Sequence, residues 1–182
     1  FMTAGGDVSL QPSLSLTGTT GGALTVNANT LSFITPPGPP PPFPTASSIT
    51  VDGGTKGGSI TLNLSPAGAI NLGQKAGQVT LSARGAAGGS ITVNGQITVS
   101  DPSALNVSAS GSKGNGGLIK LSGIVGGLDF GVNPASLEAR GQANGGVIDL
   151  TFNGPITIDS TSAPNTLRSR IDVGAQTTGG TI

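Results

Sequence analysis

The stretch Gly88-Gly89-Ser90-Ile91-Thr92-Val93 returns as Gly116-Gly117-Leu118-Ile119-Lys120-Leu121 and again as Gly145-Gly146-Val147-Ile148-Asp149-Leu150, and it is preceded by Gly57-Gly58-Ser59-Ile60-Thr61-Leu62. In each copy two glycines open a run whose apolar residues alternate with polar ones, which is the period-2 pattern of a strand with one buried face. A diverged copy stands at Gly21-Gly22-Ala23-Leu24-Thr25-Val26, Gly5-Gly6-Asp7-Val8 reads as another, and Gly179-Gly180-Thr181-Ile182 opens one more. A repeat near thirty residues is the mark of a stacked architecture and has to be settled before any local reading.

Two further runs complete each period. After a short turn come Ala69-Ile70-Asn71-Leu72, Gln96-Ile97-Thr98-Val99, Leu128-Asp129-Phe130 and Ile156-Thr157-Ile158; then residues 49–53, 79–85, 105–111 and 137–141, which end in small residues and glycine. Helical spacing is absent, and this density of glycine and β-branched residues penalises a helix by roughly 0.5–1 kcal/mol per residue.

An antiparallel sandwich also has many short strands with frequent turns. Register across the repeats separates the two. Stacked coils place Ile60, Ile91, Ile119 and Ile148 in one inward column and Leu62, Val93, Leu121 and Leu150 in the next, with Thr61, Thr92, Lys120 and Asp149 facing out. Like falls on like, and the one charged neighbour pair is opposite in sign, as in-register stacking requires. The pattern predicts an all-β chain, a three-sided parallel β-solenoid of right-handed β-helix type with about five to six coils of roughly 30 residues. Residues 1–182 form a single domain in this reading. The glycines mark corners that need positive φ or close backbone approach, and Ala83, Ala109 and Ala139 let opposed sheets come close.

Composition narrows the function. Eight basic and eight acidic residues cancel, which removes the electrostatic footprint of a nucleic-acid or anionic-membrane binder. With no histidine and no cysteine there is no imidazole base, thiol nucleophile, disulfide or zinc ligand set. No apolar stretch reaches the roughly 18 residues of a membrane helix. The first residues carry neither a basic nor an apolar signal region, and Phe1 in place of Met favours processing or excision. No cofactor and no metal are expected.

Leu105-Asn106-Val107-Ser108-Ala109-Ser110-Gly111 followed by Asn115-Gly116-Gly117-Leu118-Ile119-Lys120-Leu121, and Leu137-Glu138-Ala139-Arg140-Gly141 followed by Asn144-Gly145-Gly146-Val147-Ile148-Asp149-Leu150, resemble the repeats of filamentous-haemagglutinin-type secreted bacterial exoproteins. The resemblance covers roughly residues 49–182, and the Asn-Pro-Asn-Gly secretion signature of that family is absent from the chain. It implies a right-handed, secreted rod at the bacterial cell surface or outside the cell, serving adhesion or a structural matrix, with glycans or surface receptors as partners and no catalytic residue.

Parallel β-helices also carry polysaccharide lyases and hydrolases, whose chemistry needs acids converging on one face. Here the eight acids are scattered: the nearest stacked pair, Glu138 with Asp172, has Arg140 and Arg170 beside it, and Asp52 is expected one rung from Arg84. Structural ion pairs are the better reading. Residues 53–58 and 111–114 lack the spacing of a phosphate-binding loop and read as corners. The calcium-binding nonapeptide pattern lacks its aspartates, and an ice-ordering threonine array is interrupted by Lys120 and Asp149. Two Asn-x-Ser triplets, Asn63-Leu64-Ser65 and Asn106-Val107-Ser108, are placed outward.

The least repetitive feature is Pro36-Pro37-Gly38-Pro39-Pro40-Pro41-Pro42-Phe43-Pro44, inside a proline-rich loop over residues 35–48. Proline has no N–H to give a ladder, so the run reads as a polyproline II arm. The expected assembly contacts are therefore Pro39, Pro41 and Phe43 on the arm, Gly5, Asp7, Val8 and Leu10 at one open end, and Gly179, Gly180, Thr181 and Ile182 at the other. Head-to-tail self-association follows if the open strand edges pair. The leading function is a non-enzymatic structural or adhesive segment of an extracellular filament, sheath or surface fibre; the alternative is a carbohydrate-binding or polysaccharide-cleaving β-helix.

Overall fold

The computed structural model describes residues 2–3, 6–10, 13–33, 47–65, 69–71, 78–98, 104–123, 128–129, 135–154, 156–157 and 170–182. Among them there is no helix, and every strand pairing is parallel. Parallel pairing at this density excludes an antiparallel sandwich.

Each strand pairs with the strand one repeat away. The first sheet runs in the order Met2–Thr3, Ala23–Ala28, Ser59–Leu64, Ser90–Asn94, Leu118–Gly123 and Val147–Phe152. A second holds Val8–Leu10, Leu31–Phe33, Ala69–Asn71 and Gln96–Thr98, with Leu128–Asp129 and Ile156–Thr157 paired separately. The third runs through Ser13–Ser15, Ser47–Thr50, Gln78–Ser82, Ala104–Ser108, Ala135–Glu138 and Arg170–Asp172. The sheets do not close into a barrel.

Register is as the repeat predicts. Ile60 pairs with Ile91, Ile91 with Ile119 and Ile119 with Ile148, while Leu62, Val93, Leu121 and Leu150 form the neighbouring column. The four isoleucines are fully buried, each such burial stabilising by about 1.5–3 kcal/mol. From the third sheet Ile49, Leu81, Val107 and Leu137 point into the same core, followed by Ala83, Ala109 and Ala139, all buried. One hydrophobic cluster thus joins residues from all three sheets.

The paired glycines are required by close approach rather than by backbone sign. Among the described residues Gly95 alone has positive φ, at 143°. A Cβ on Gly57, Gly88 or Gly116 would lie 2.0–2.1 Å from the carbonyl oxygen of Ala83, Ala109 or Ala139 on the next rung. A Cβ on Gly89, Gly117 or Gly146 would strike a glycine carbonyl of the rung before at 2.0–2.1 Å. Bare backbone lets the chain turn while its amides stay paired: Gly89 N–H donates to Ala83 O at 2.8 Å, Gly117 to Ala109 and Gly146 to Ala139 at 2.7 Å.

Two expectations need correcting. Gly5-Gly6-Asp7-Val8 does not open another first-sheet strand, because Val8 pairs with Leu31 in the second sheet and the first-sheet place is taken by Met2 and Thr3, which pair with Val26 and Asn27. Short alternating runs look alike on every side of a stack, so local sequence did not say which side this one occupies. Ser47 and Ser48, placed in the proline-rich loop, already belong to the strand Ser47–Thr50.

Candidate functional site: terminal edges and outward ladders

At one edge Asp7 is exposed and accepts a hydrogen bond from the Thr30 hydroxyl at 2.5 Å, while Val8 N–H donates to Thr30 O at 2.9 Å. Val8 and Leu10 are buried side chains of the second sheet. At the opposite edge Gly180 N–H donates to Val173 O at 2.9 Å and Thr181 N–H to Gly146 O at 3.0 Å; Thr181 O accepts from Ile148 N–H at 2.9 Å. Thr181 pairs with Val147, so Ile182 follows in the column of Ile148, where it is 70% exposed. Gly179 has open space around it. The two groups of expected contacts occupy opposite ends of the strand order and are not brought together. Gly5, Pro39, Pro41 and Phe43, with residues 34–46 generally, lie outside the described residues.

The outward face of the first sheet carries Thr25, Thr61, Thr92, Lys120 and Asp149 in register, and Lys120 Nζ stands 3.4 Å from Asp149 Oδ2. Beside it runs a polar ladder that sequence reasoning missed. Asn63 Nδ2 donates to Asn27 Oδ1 at 2.8 Å, Asn94 Nδ2 to Asn63 Oδ1 at 2.7 Å, and the Ser122 hydroxyl to Asn94 Oδ1 at 2.7 Å. The signal was present as asparagine at the same repeat position three times over. It also changes the reading of the triplet at Asn63, whose side-chain nitrogen is engaged within the ladder.

The third sheet ends in a charged network. Asp52 Oδ1 accepts from the Ser82 hydroxyl at 2.6 Å and from the Arg84 backbone N–H at 2.7 Å. The expected Asp52–Arg84 ion pair does not form: the Arg84 guanidinium turns the other way, its Nε donating to Ser108 Oγ at 2.7 Å and its Nη2 lying 3.8 Å from Glu138 Oε2. Ser82 and Ser108 are buried, and these bonds satisfy them. Asp172, directly paired with Glu138 in the sheet, takes Arg140 at 3.5 Å and Arg170 in contact, and accepts from Gly174 N–H at 2.7 Å. Partial burial pushes its carboxyl pKa up, but the Gly174 amide and the Arg170 and Arg140 guanidiniums outweigh that and hold it below the usual range. A shallow groove of about 360 Å³ lies along this corner, lined by Asp52, Arg84, Ser110 and Ser112 among others.

Three acids of this arrangement are engaged with basic groups. The stacked acids Glu138 and Asp172 each face a guanidinium, and Asp149 faces an ammonium. Among the described residues no three acidic side chains converge as cation ligands. Comparison with family models, curated proteins and solved structures found no match to this chain.

Proposed function

We propose that the chain is a three-sided, right-handed parallel β-solenoid serving as a non-enzymatic structural or adhesive segment of an extracellular filament, sheath or surface fibre of a bacterium. The observation that carries the reading is the common register of the sheets: strand after strand pairs one repeat onward, over a single core. Right-handed crossover is the strong preference for parallel strands joined through another layer. Such a stack is stiff along its axis and repeats one surface at every rung, about 4.8 Å apart, which suits a load-bearing or multivalent role better than a single catalytic cleft. The resemblance of residues 49–182 to filamentous-haemagglutinin-type repeats supports the same class and the secreted setting.

Head-to-tail self-association through the edges at Asp7, Val8 and Leu10 and at residues 179–182 belongs to this proposal, with the proline-rich arm as a lateral contact and surface glycans or receptors as partners. Electron microscopy of the purified chain over a concentration series tests it. Rods that lengthen with concentration support it, whereas monodisperse compact particles throughout overturn the self-association. A carbohydrate-binding reading has the polar groove at Asp52, Arg84, Ser110 and Ser112 in its favour; a glycan array with the Arg84→Ala variant as control tests that separately.

A further inference from the structure

We propose that the outward face of the first sheet binds a second copy of this chain, side by side, with the two stacks running in opposite directions. The contact needs only the parallel first sheet and is separate from the end-to-end one, whose edges it leaves free. Along this face the strands Ala23–Ala28, Ser59–Leu64 and Ser90–Asn94 repeat one uncharged pattern: Ala23, Thr25, Asn27, then Ser59, Thr61, Asn63, then Ser90, Thr92, Asn94. The next two rungs break it in all three columns. Leu118 and Val147 replace the small residue, Lys120 and Asp149 the threonine, and Ser122 and Thr151 the asparagine. Leu118 is 37% and Val147 42% exposed, although Ile119 and Ile148, which follow them, are fully buried. Two aliphatic side chains on adjoining rungs are thus left in solvent, beside the one pair of opposite charges on the face.

The charges choose the occupant and its direction. Lys120 and Asp149 stand on adjoining rungs of one column, both partly exposed. A second copy laid on this face with its rungs in the same direction sets lysine opposite lysine and aspartate opposite aspartate. A two-fold axis along the strands, passing between these two rungs, reverses the order. Lys120 then faces Asp149 of the second copy and Asp149 faces its Lys120, Leu118 faces Val147, and Ser122 faces Thr151, every contact being made twice as an isologous interface requires. The four charges alternate in sign about the axis, and the four aliphatic side chains meet in one cluster beside them. An unrelated partner would have to supply both signs at this spacing, whereas a second copy does so by symmetry alone. Four rungs at about 4.8 Å and five residues at about 3.3 Å give on the order of 300 Å² per copy, below the roughly 800 Å² of a standard interface. The pair is therefore weak and reversible, and gains strength where several copies are arrayed.

Sedimentation velocity over a concentration series tests the contact with two variants, Lys120→Asp, which makes both charges of the face negative, and Asp149→Lys, which makes both positive. Each alone sets like charges opposite each other across the axis and should associate at least about tenfold more weakly than the parent. An equimolar mixture of the two should regain association, because the negative face of one meets the positive face of the other. Lys113→Asp makes the same change of net charge at an exposed corner off this face and should behave as the parent. The end-to-end edges are identical in all these samples, so success or failure of that contact leaves the comparison intact. Leu118→Ser combined with Val147→Ser should also weaken association while circular dichroism stays unchanged; if a charge variant loses its β signal, this pair decides alone, and parent-like association then overturns the proposal. A mixture that sediments as the sum of its two variants overturns it as well, as does a parent no more associated than either variant.

Discussion

Replacing Gly89 by alanine probes the contact on which the whole stack depends. The added methyl carbon would sit 2.1 Å from Gly58 O and 2.6 Å from Gly57 C, both backbone atoms of the rung before, whereas ordinary contact begins at 3.4 Å. The rungs must therefore part by about 1.3 Å at this corner, the difference of those two distances. The Ser90 N–H to Gly58 O bond, 3.0 Å long, does not survive such a displacement, and the 2.8 Å bond from Gly89 N–H to Ala83 O is dragged with it. Leaving two buried backbone pairs unsatisfied costs about 1–3 kcal/mol each, so a loss of about 2–6 kcal/mol is expected. At Gly54 the same substitution meets Thr19 O at 3.6 Å, an ordinary contact, without positive φ. There the reduced entropy of the unfolded chain should stabilise by about 0.4–1 kcal/mol. With about 2–4 °C of melting temperature per kcal/mol for a chain of this size, Gly89→Ala should melt roughly 4–24 °C lower than the parent and Gly54→Ala slightly higher. Thermal melts followed by the β signal in circular dichroism decide the matter. A Gly89→Ala protein within about 2 °C of the parent would mean that the rungs do not approach as closely as described.

The inward column gives a second contrast: Ile119→Asp buries an unpaired charge among Ile91, Ile148 and their neighbours and should unfold the adjacent rungs, while Lys120→Thr loses one exposed ion pair worth about 0–1 kcal/mol, so equal urea midpoints for the two would refute the register. Asp172 sets a pH dependence. Its folded pKa lies below its unfolded one, so its stabilisation is present above the ordinary carboxylate value of about 3.9 and is lost as pH falls through the folded value. Asp172→Asn should thus be less stable than the parent at neutral pH and converge with it in acid, and a gap that widens in acid contradicts the assignment. Asn63→Ala cuts the asparagine ladder at its centre and should cost about 1–2 kcal/mol in a urea titration, with Asn106→Ala as the comparison.

The period, the strand character and the parallel register were written in residues 57–62, 88–93, 116–121 and 145–150, because in-register stacking sets each residue on its own repeat-mate and so selects like residues for each column. Ala83, Ala109 and Ala139 were likewise legible as small core residues. Other features depended on distances that no single repeat encodes. Arg84 passes over Asp52, bonds Ser108 on the next rung and approaches Glu138 on the rung beyond, a choice made by side-chain reach and by the burial of Ser108. Val8 belongs to the second sheet because its backbone meets Leu31, although its own alternation suits any side. The placing of Asp7, Val8 and Leu10 at one edge and of residues 179–182 at the other was legible in the order of the repeats, since each strand pairs one repeat onward. Sequence also offered two reasons for the paired glycines, positive φ and close approach. Only the folded stack decides between them, since the atoms a side chain would strike belong to neighbouring rungs about thirty residues away.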